Sequence, residues 1–280
     1  MPGILYLCAT PIGNLEDITL RVLRILREAD IIAAEDTRNT IKLLNHFNIK
    51  TPMTSYHEYN KYDKAQYLVN KLLDGSDIAL VTDAGTPGIS DPGEEIVKKA
   101  YQAGIQVTSL PGACACITAL TLSGLATRRF AFEAFLPHDK KERKTIINSL
   151  KEETRTIIIY EAPHHLKNTL SELYSVLSDR KITICRELTK LHETVQLHTI
   201  SSAIEFYKQN QPKGEYVLVI EGCTLQELEA RHQNKWLDIS IPEHMDIYLS
   251  KDMAKKEAMK QVASDRGISR REVYNSLLKQ

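Results

Sequence analysis

Residues 77–93, DIALVTDAGTPGISDPG, join a short unbroken apolar run to a turn holding three glycines and two prolines. The run Ile78 to Val81 is too short for a helix and has no polar face, the pattern of a strand buried on both sides. Gly85, Gly88 and Gly93 permit positive φ and close backbone approach, and Pro87 and Pro92 stiffen the loop. A turn of this kind directly after a buried strand lies at the carboxyl edge of a sheet, where α/β proteins bind ligands. It equally suits a plain tight connection, and it matches neither the Rossmann nor the P-loop fingerprint. Glu94 to Ala103 follows with helical spacing, so the segment reads strand, turn, helix.

The same unit recurs on both sides of this segment. Upstream, ILYLCAT (Ile4 to Thr10) predicts a strand that runs into the turn Thr10-Pro11-Ile12-Gly13-Asn14-Leu15, with a helix over Ile18 to Ala29. ADIIAAE predicts a second strand, and Tyr62 to Leu73 an amphipathic helix. Downstream, IQVTSLPG (Ile105 to Gly112) returns as a strand that enters the small-residue turn Leu110 to Ala115. This alternation predicts an α/β fold around a mostly parallel sheet. After Gly112 the pattern changes to a small-residue helix, Ala113 to Ser123, and strands at TRTIIIYEA, KITICREL and GEYVLVIEG. We therefore expect domains at 1–112 and 113–224, then 225–280 as connecting structure and tail. Thr224 to Ser250 has weak patterning and reads as a connector. Lys251 to Lys279 reads as helical, broken at Gly267 with Ser269 as the next N-cap, a pattern like a helix-turn-helix.

The chain has 280 residues, 42% hydrophobic and 26% charged, enough for a large core and against disorder throughout. No stretch approaches the roughly 18 apolar residues of a membrane span, and the N-terminus lacks a signal-peptide pattern, so a cytoplasmic protein is expected. Five scattered cysteines without zinc-ligand spacing read as buried small hydrophobes, with no metal. Thirty-six basic and thirty-six acidic side chains cancel, so any basic footprint must be local. From Lys251 onward eight basic face four acidic side chains. Lys255, Lys256, Lys260, Arg266, Arg270 and Arg271 are either a solvated helix face or partners for RNA phosphates.

Several polar sets could carry chemistry. Glu35, Asp36 and Arg38 follow a predicted strand and combine acids with a guanidinium, which suits substrate orientation, phosphate contact or a structural ion pair. His57 with Glu58 and Arg186 with Glu187 are similar candidates, and His192 with Glu193 a weaker one. Spacing alone does not say which of them meet.

Taken together, ATPIGNLEDIT (Ala9 to Thr19), AEDTR (Ala34 to Arg38), SYHEYN (Ser55 to Asn60), TDAGTPGISDPG (Thr82 to Gly93), LPGACA (Leu110 to Ala115), FLP (Phe135 to Pro137), YEAPHH (Tyr160 to His165), RELTKLHE (Arg186 to Glu193) and GEYVLVIEG resemble, in order, the tetrapyrrole-methylase superfamily. They are most similar to its branch that methylates ribose 2′-hydroxyls in small-subunit ribosomal RNA. The resemblance implies two α/β domains with a cofactor cleft between them, plus a helical C-terminal extension, in a homodimer. It implies S-adenosylmethionine as cofactor, with Pro11, Asp83, Ala84, Gly85, Ile89, Ser90, Ala113, Tyr160, Ala162, Glu215 and Tyr216 lining the cleft. Where the family pattern carries an arginine, this chain has His165, which puts a basic substrate contact there in question.

The activity so implied is 2′-O-methylation of a cytidine in 16S ribosomal RNA, alone or in the 30S subunit. Methyl transfer from a sulfonium needs in-line placement and a hydroxyl that can shed its proton, so positioning and a nearby base or cation would be the protein's contribution. The alternatives are a methyltransferase of a tetrapyrrole or a protein, and an RNA-binding assembly protein without activity.

Overall fold

The structure is a computed structural model in which residues 1–278 are described; Lys279, at the end of the expected tail helix, lies outside them. The first half runs β1 (Ile4–Cys8), α1 (Leu20–Glu28), β2 (Ile31–Ala34), α2 (Thr37–His46), β3 (Met53–Ser55), α3 (Lys61–Leu73), β4 (Ile78–Val81), α4 (Gly93–Gln102) and β5 (Gln106–Leu110). Its sheet has the order β3-β2-β4-β1-β5, with every pairing parallel. The unbroken apolar run of β4 follows from burial on both faces. Ile78 and Leu80 pack with Leu68, Leu72 and Ile96 of α3 and α4, whereas Ala79 and Val81 pack with Val22, Leu26 and Leu44 of α1 and α2. Each fully buried branched side chain of this kind stabilises the fold by roughly 1.5–3 kcal/mol.

The second sheet, for which the sequence offers strands but no sense of pairing, is mostly antiparallel. Its elements are α5 (Ala115–Leu122), β6 (Phe130–Phe135), α6 (Lys140–Ser149), β7 (Thr156–Glu161), α7 (Leu166–Leu177), β8 (Lys181–Arg186), β9 (Thr194–Thr199), α8 (Ile200–Gln209) and β10 (Tyr216–Ile220). The order is β6-β7-β10-β8-β9, and only the β6–β7 pair is parallel. The last strand, β10, inserts antiparallel between β7 and β8, so its five residues are all buried. Ile157, Ile159, Leu218 and Ile220 face α7 and α8, and Ile158, Val217 and Val219 face α5.

Two compact units result. Met1–Leu150 with Thr156–Glu221 holds both sheets, and Lys151–Arg155 with the chain from Gly222 onward forms the other. The expected connector Thr224 to Ser250 is in fact helical, forming α9 (Leu225–Asn234) and α10 (Ile241–Leu249). Capping boxes start both, Thr224 with Glu227 and Ser240 with Glu243, and offset their weak amphipathicity. They join α11 (Lys255–Arg266) and α12 (Arg270–Leu278), which break at Gly267 with Ser269 bonded to Glu272, as the spacing predicts. Met245, Ala258, Val262 and Val273 form this unit's core. Arg266 does not belong with the exposed basic residues of the tail: its guanidinium donates to Ile239 O (2.6 Å), Ser240 O (3.0 Å) and His244 Nδ1 (3.1 Å). Lys255, Lys256, Lys260, Arg270 and Arg271 remain exposed. Among the described residues no helix is long and apolar enough to cross a membrane.

Candidate active site

Parallel strands deliver their following turns to one edge, and here the turns after β1, β4 and β5 are bonded to one another. Thr10 and Gly85 exchange backbone hydrogen bonds of 2.9 and 3.0 Å. The Thr86 hydroxyl donates to Ala113 O at 3.0 Å. Gly85 has φ +86°, a backbone angle that calls for glycine, and a Cβ there would press on Ile12 Cγ2 at 3.3 Å. Asp91 shapes the rest of the turn by accepting the amides of Gly88, Ile89 and Gly93 at 2.8–3.0 Å. The Tyr56 hydroxyl pins the loop's end through Pro92 O at 2.8 Å.

Across from these turns stand the end of β7 and the start of β10. The Tyr160 hydroxyl accepts the Cys116 amide at 3.0 Å, which anchors the first turn of α5, and its ring meets Phe132 and Phe135 edge-on at 4.9 and 5.5 Å. Between the two walls lies a cleft of about 400 Å³. Ligand pockets commonly span about 300–1,000 Å³. Ile12, Ile89, Leu188 and Val217 offer apolar surface for a flat base and a thioether, and Asp83, Ser90 and Asp91 offer acceptors for hydroxyl and amino groups. Those apolar surfaces and acceptors, in a cleft of this volume, fit S-adenosylmethionine.

Of the residues expected at the cofactor, Asp83, Ala84, Gly85, Ile89, Ser90, Tyr160, Ala162, Glu215 and Tyr216 line this cleft. Two are placed otherwise. Pro11 lines a neighbouring hollow, and Ala113 takes part through its carbonyl, held by Thr86.

The polar candidates separate. Glu35 accepts the Thr82 hydroxyl (2.5 Å) and the Asp83 amide (3.3 Å), and Asp83 in turn accepts the Asp36 amide (3.1 Å), so the ends of β2 and β4 brace each other. Asp36 caps α2 through the Arg38 amide (2.8 Å) and also holds the Arg38 guanidinium (2.8 Å), which pushes its carboxyl down to about 2. The acid–arginine set is thus a helix cap with an ion pair. Partial burial first, then Glu35 and Asp36, raise the Asp83 carboxyl above its ordinary range. His57 and Glu58 occupy the loop after β3, outside the cleft wall; the His57 amide bonds Asn60 (2.9 Å), and Glu58 pairs with Lys61 (2.5 Å). Glu187, at φ +52°, accepts the Glu215 amide (2.9 Å) and pairs with Lys190 (3.0 Å). Burial alone would raise its carboxyl, but that amide and Lys190 outweigh it and hold it low. Arg186 Nε is buried, with no hydrogen-bond partner among the described residues. His165 stands in a ring cluster with His164 (4.1 Å) and His138 (5.5 Å).

Residue-by-residue reading of the sequence missed Ile12, Cys114, Phe135 and Leu188, all in the cleft wall. Their signal was positional: each falls inside a family-like string, but apolar identity alone marks them as core. Cys114 was read as a small packing residue. It is the N-cap of α5, its thiol lies 3.4 Å from that of Cys116, and it opens on the cleft.

Comparisons with known proteins agree with this geometry. Residues 5–227 match the family model of the tetrapyrrole (corrin/porphyrin) methylases. The protein called ribosomal RNA small subunit methyltransferase I in Halalkalibacterium halodurans is 48% identical, over 98% of this chain and 94% of its own. Its namesakes in Bacillus subtilis (47%, 98% and 94%) and Synechocystis (46%, 97% and 96%) are similar throughout as well. Among solved structures, a diphthine synthase superposes with a TM-score of 0.64 at 16% identity, covering 84% of this chain and 96% of its own, and so shares the fold. A fold of two sheets that share one cleft, a glycine turn in that cleft suited to the methyl donor and these full-length similarities together show that the chain belongs to the tetrapyrrole methylase family, as an S-adenosylmethionine-dependent methyltransferase.

Proposed function

We propose that this protein methylates the ribose 2′-hydroxyl of a cytidine in small-subunit ribosomal RNA, acting in the cytoplasm as a homodimer. The observation that carries the reading is the cleft between the turns of the first sheet and Tyr160 and Tyr216 of the second, in a chain alike over its whole length to methyltransferases named for small-subunit RNA. In this reading residues 1–112 and 113–224 are the two halves that hold the cofactor, and 225–280 contacts RNA. The exposed Lys255, Lys256, Lys260, Arg270 and Arg271 supply partners for phosphates, which a tetrapyrrole or protein substrate would leave unused.

S-adenosylmethionine supplies a methyl on a sulfonium; transfer to a ribose oxygen leaves the neutral thioether, and the oxygen sheds one proton. The protein's part is to hold both partners in line and receive that proton. Tyr160, Ala162, Tyr216 and the Gly85 to Ser90 turn would grip the cofactor, with Pro11, Ala113 and Glu215 at its margins. Tyr160 is itself fixed by the Cys116 amide, so the grip is set before any ligand enters.

The test is transfer of a labelled methyl to small subunits from a strain lacking this gene, followed by nuclease digestion and mass spectrometry. Label on a cytidine 2′-oxygen supports the proposal. Label on a base or on a ribosomal protein, or none on small subunits despite cofactor binding, overturns it.

A further inference from the structure

A second hollow, of about 340 Å³, opens beside the cofactor cleft, and Thr82 and Asp83 belong to the walls of both. Its far side is one face of α2, where Asn39, Lys42, Leu43 and His46 follow helical spacing and point the same way. Its near side is the turn after β1, with Pro11, Gly13 and Leu15. The chemistry of the walls is graded. Pro11, Leu15 and Leu43 are apolar, Lys42 and His46 are cationic or protonatable and exposed at the rim, and Asp83 is the acid at the boundary with the cleft. Lys42 Nζ reaches Asn39 Oδ1 at 3.4 Å, which keeps the ammonium on this face.

We propose that this hollow receives the acceptor nucleotide of the RNA, with its base against Pro11, Leu15 and Leu43, its phosphate at Lys42 and His46, and its 2′-hydroxyl at Asp83. The inference rests on the RNA reading above and adds the place where the substrate sits. Three properties carry it. The acceptor ribose oxygen has to be held in line with the methyl, so a place for the acceptor nucleotide must adjoin the cofactor, and RNA is read where single nucleotides can be splayed out. The hollow and the cleft share Thr82 and Asp83 in their walls, which places anything seated in the hollow next to Asp83 and beside the cofactor cleft. Apolar surface for a base beside a cationic rim for a phosphate is the division that a nucleotide itself presents.

Asp83 is placed for the proton. Its carboxylate is fixed by the Asp36 amide and lies in the walls of both the hollow and the cleft, and its partial burial first, then the acids Glu35 and Asp36 beside it, favour proton uptake. Arg38, the nearby guanidinium, is engaged by Asp36. The hydroxyl proton passes to a carboxylate oxygen of Asp83 as the ribose oxygen forms its new bond. Glu35, held by Thr82 and the Asp83 amide, is a positioning residue behind it.

The experiment uses the full chain and small subunits, and it separates occupancy of the hollow from cofactor binding. Leu43→Trp fills the hollow, and Lys42→Glu inverts its rim on an exposed helix face that tolerates the change. Both are expected to raise KM for small subunits at least about tenfold, while calorimetry gives cofactor affinity within about twofold of the parent. Because Asp83 also lines the cofactor cleft, Asp83→Asn is assayed with cofactor saturating, at the affinity calorimetry gives for the variant, and is expected to lower kcat about 10²–10⁴-fold with KM for subunits within about threefold. Folded Leu43→Trp and Lys42→Glu proteins with unchanged KM overturn the pocket, and an Asp83→Asn protein with parental kcat overturns its proton role. If Leu43→Trp fails to fold, Lys42→Glu still decides. A parent protein that labels no RNA overturns the RNA reading and the nucleotide pocket with it, whereas a parent that labels RNA beside unaffected variants overturns the pocket alone.

Discussion

The two sheets of this protein meet at one cleft but supply it differently. In the first, all strands run parallel, so every following turn emerges at the same edge, and the site is made of backbone: Thr10, Gly85 and the amides gathered by Asp91. In the second, β10 runs antiparallel to its neighbours, so no row of turns forms, and that side contributes strand ends, the side chain of Tyr160 from β7 and the start of β10 at Tyr216. A wall of turns is sensitive to backbone conformation, and a wall of side chains to individual contacts. Substitutions on the two sides should therefore fail in different ways.

The largest effect is expected at Gly85. Gly85→Val places a β-branched residue at φ +86° and a Cβ 3.3 Å from Ile12, a strain of about 1–3 kcal/mol that the turn relieves by moving. Cofactor affinity measured by calorimetry should fall about hundredfold, equivalent to roughly 2.7 kcal/mol. The partner measurement is Leu218→Ala, in the buried centre of β10. It should lower stability in urea by about 2–5 kcal/mol while the folded fraction keeps its cofactor affinity within about twofold. A Gly85→Val protein with parental affinity, or a Leu218→Ala protein that folds but loses the cofactor, breaks the distinction between the sheets.

The same distinction explains what could be read from the sequence. In the first half local pattern and tertiary role coincide: an unbroken run such as Ile78 to Val81 is apolar because both faces are covered, and the glycines follow because the turns need them. The order of the second sheet was not legible, since inserting β10 between β7 and β8 is a long-range choice that no window of residues records. AEDTR was visible as chemistry, but Asp36 and Arg38 serve to cap α2, and the carboxylate at the junction of the two hollows, Asp83, had been grouped with the glycine turn around it. The helices α9 and α10 carried their start signals, Thr224 with Glu227 and Ser240 with Glu243, beneath patterning too weak to claim a helix. Those cleft residues that were legible came through the resemblance, because an apolar lining residue such as Leu188 looks like core until its neighbours across the cleft are known.

An intermediate effect is expected on the side-chain wall. Tyr160→Phe keeps the ring among Phe132 and Phe135 but removes the oxygen that accepts the Cys116 amide. Leaving that amide unpaired costs about 1–3 kcal/mol. Because the bond anchors α5 rather than the glycine turn, cofactor affinity should weaken only about fivefold to tenfold, with the denaturation midpoint shifted in parallel. A loss as large as that of Gly85→Val would mean that the hydroxyl contacts the ligand directly, and the comparison would have to be redrawn with Tyr160 as part of the binding set.

The smallest effect on affinity, and the sharpest chemical signature, belongs to Cys114, which sits where the two walls meet. The hydrogen bond it shares with the Cys116 thiol lowers it, burial opposes, and the amides of Ile117 and Cys116 at the start of α5 add to the first effect; together they bring its thiol down to about 6. Its partner Cys116 is pushed up, and burial holds Cys8 and Cys185 up at about 12. Since the thiolate is the reactive form, alkylation of Cys114 by iodoacetamide should already be near its maximum at about pH 7 and stay flat to about pH 9, where an ordinary thiol would speed up more than about tenfold. Cofactor should protect it, because Cys114 lines the cleft, whereas Cys114→Ser should change cofactor affinity by less than about threefold. Peptide mapping of the alkylated site across pH, with and without S-adenosylmethionine, checks both. A rate that climbs through pH 8–9 would show that the bond to Cys116 does not favour the Cys114 thiolate, and labelling indifferent to cofactor would remove Cys114 from the wall.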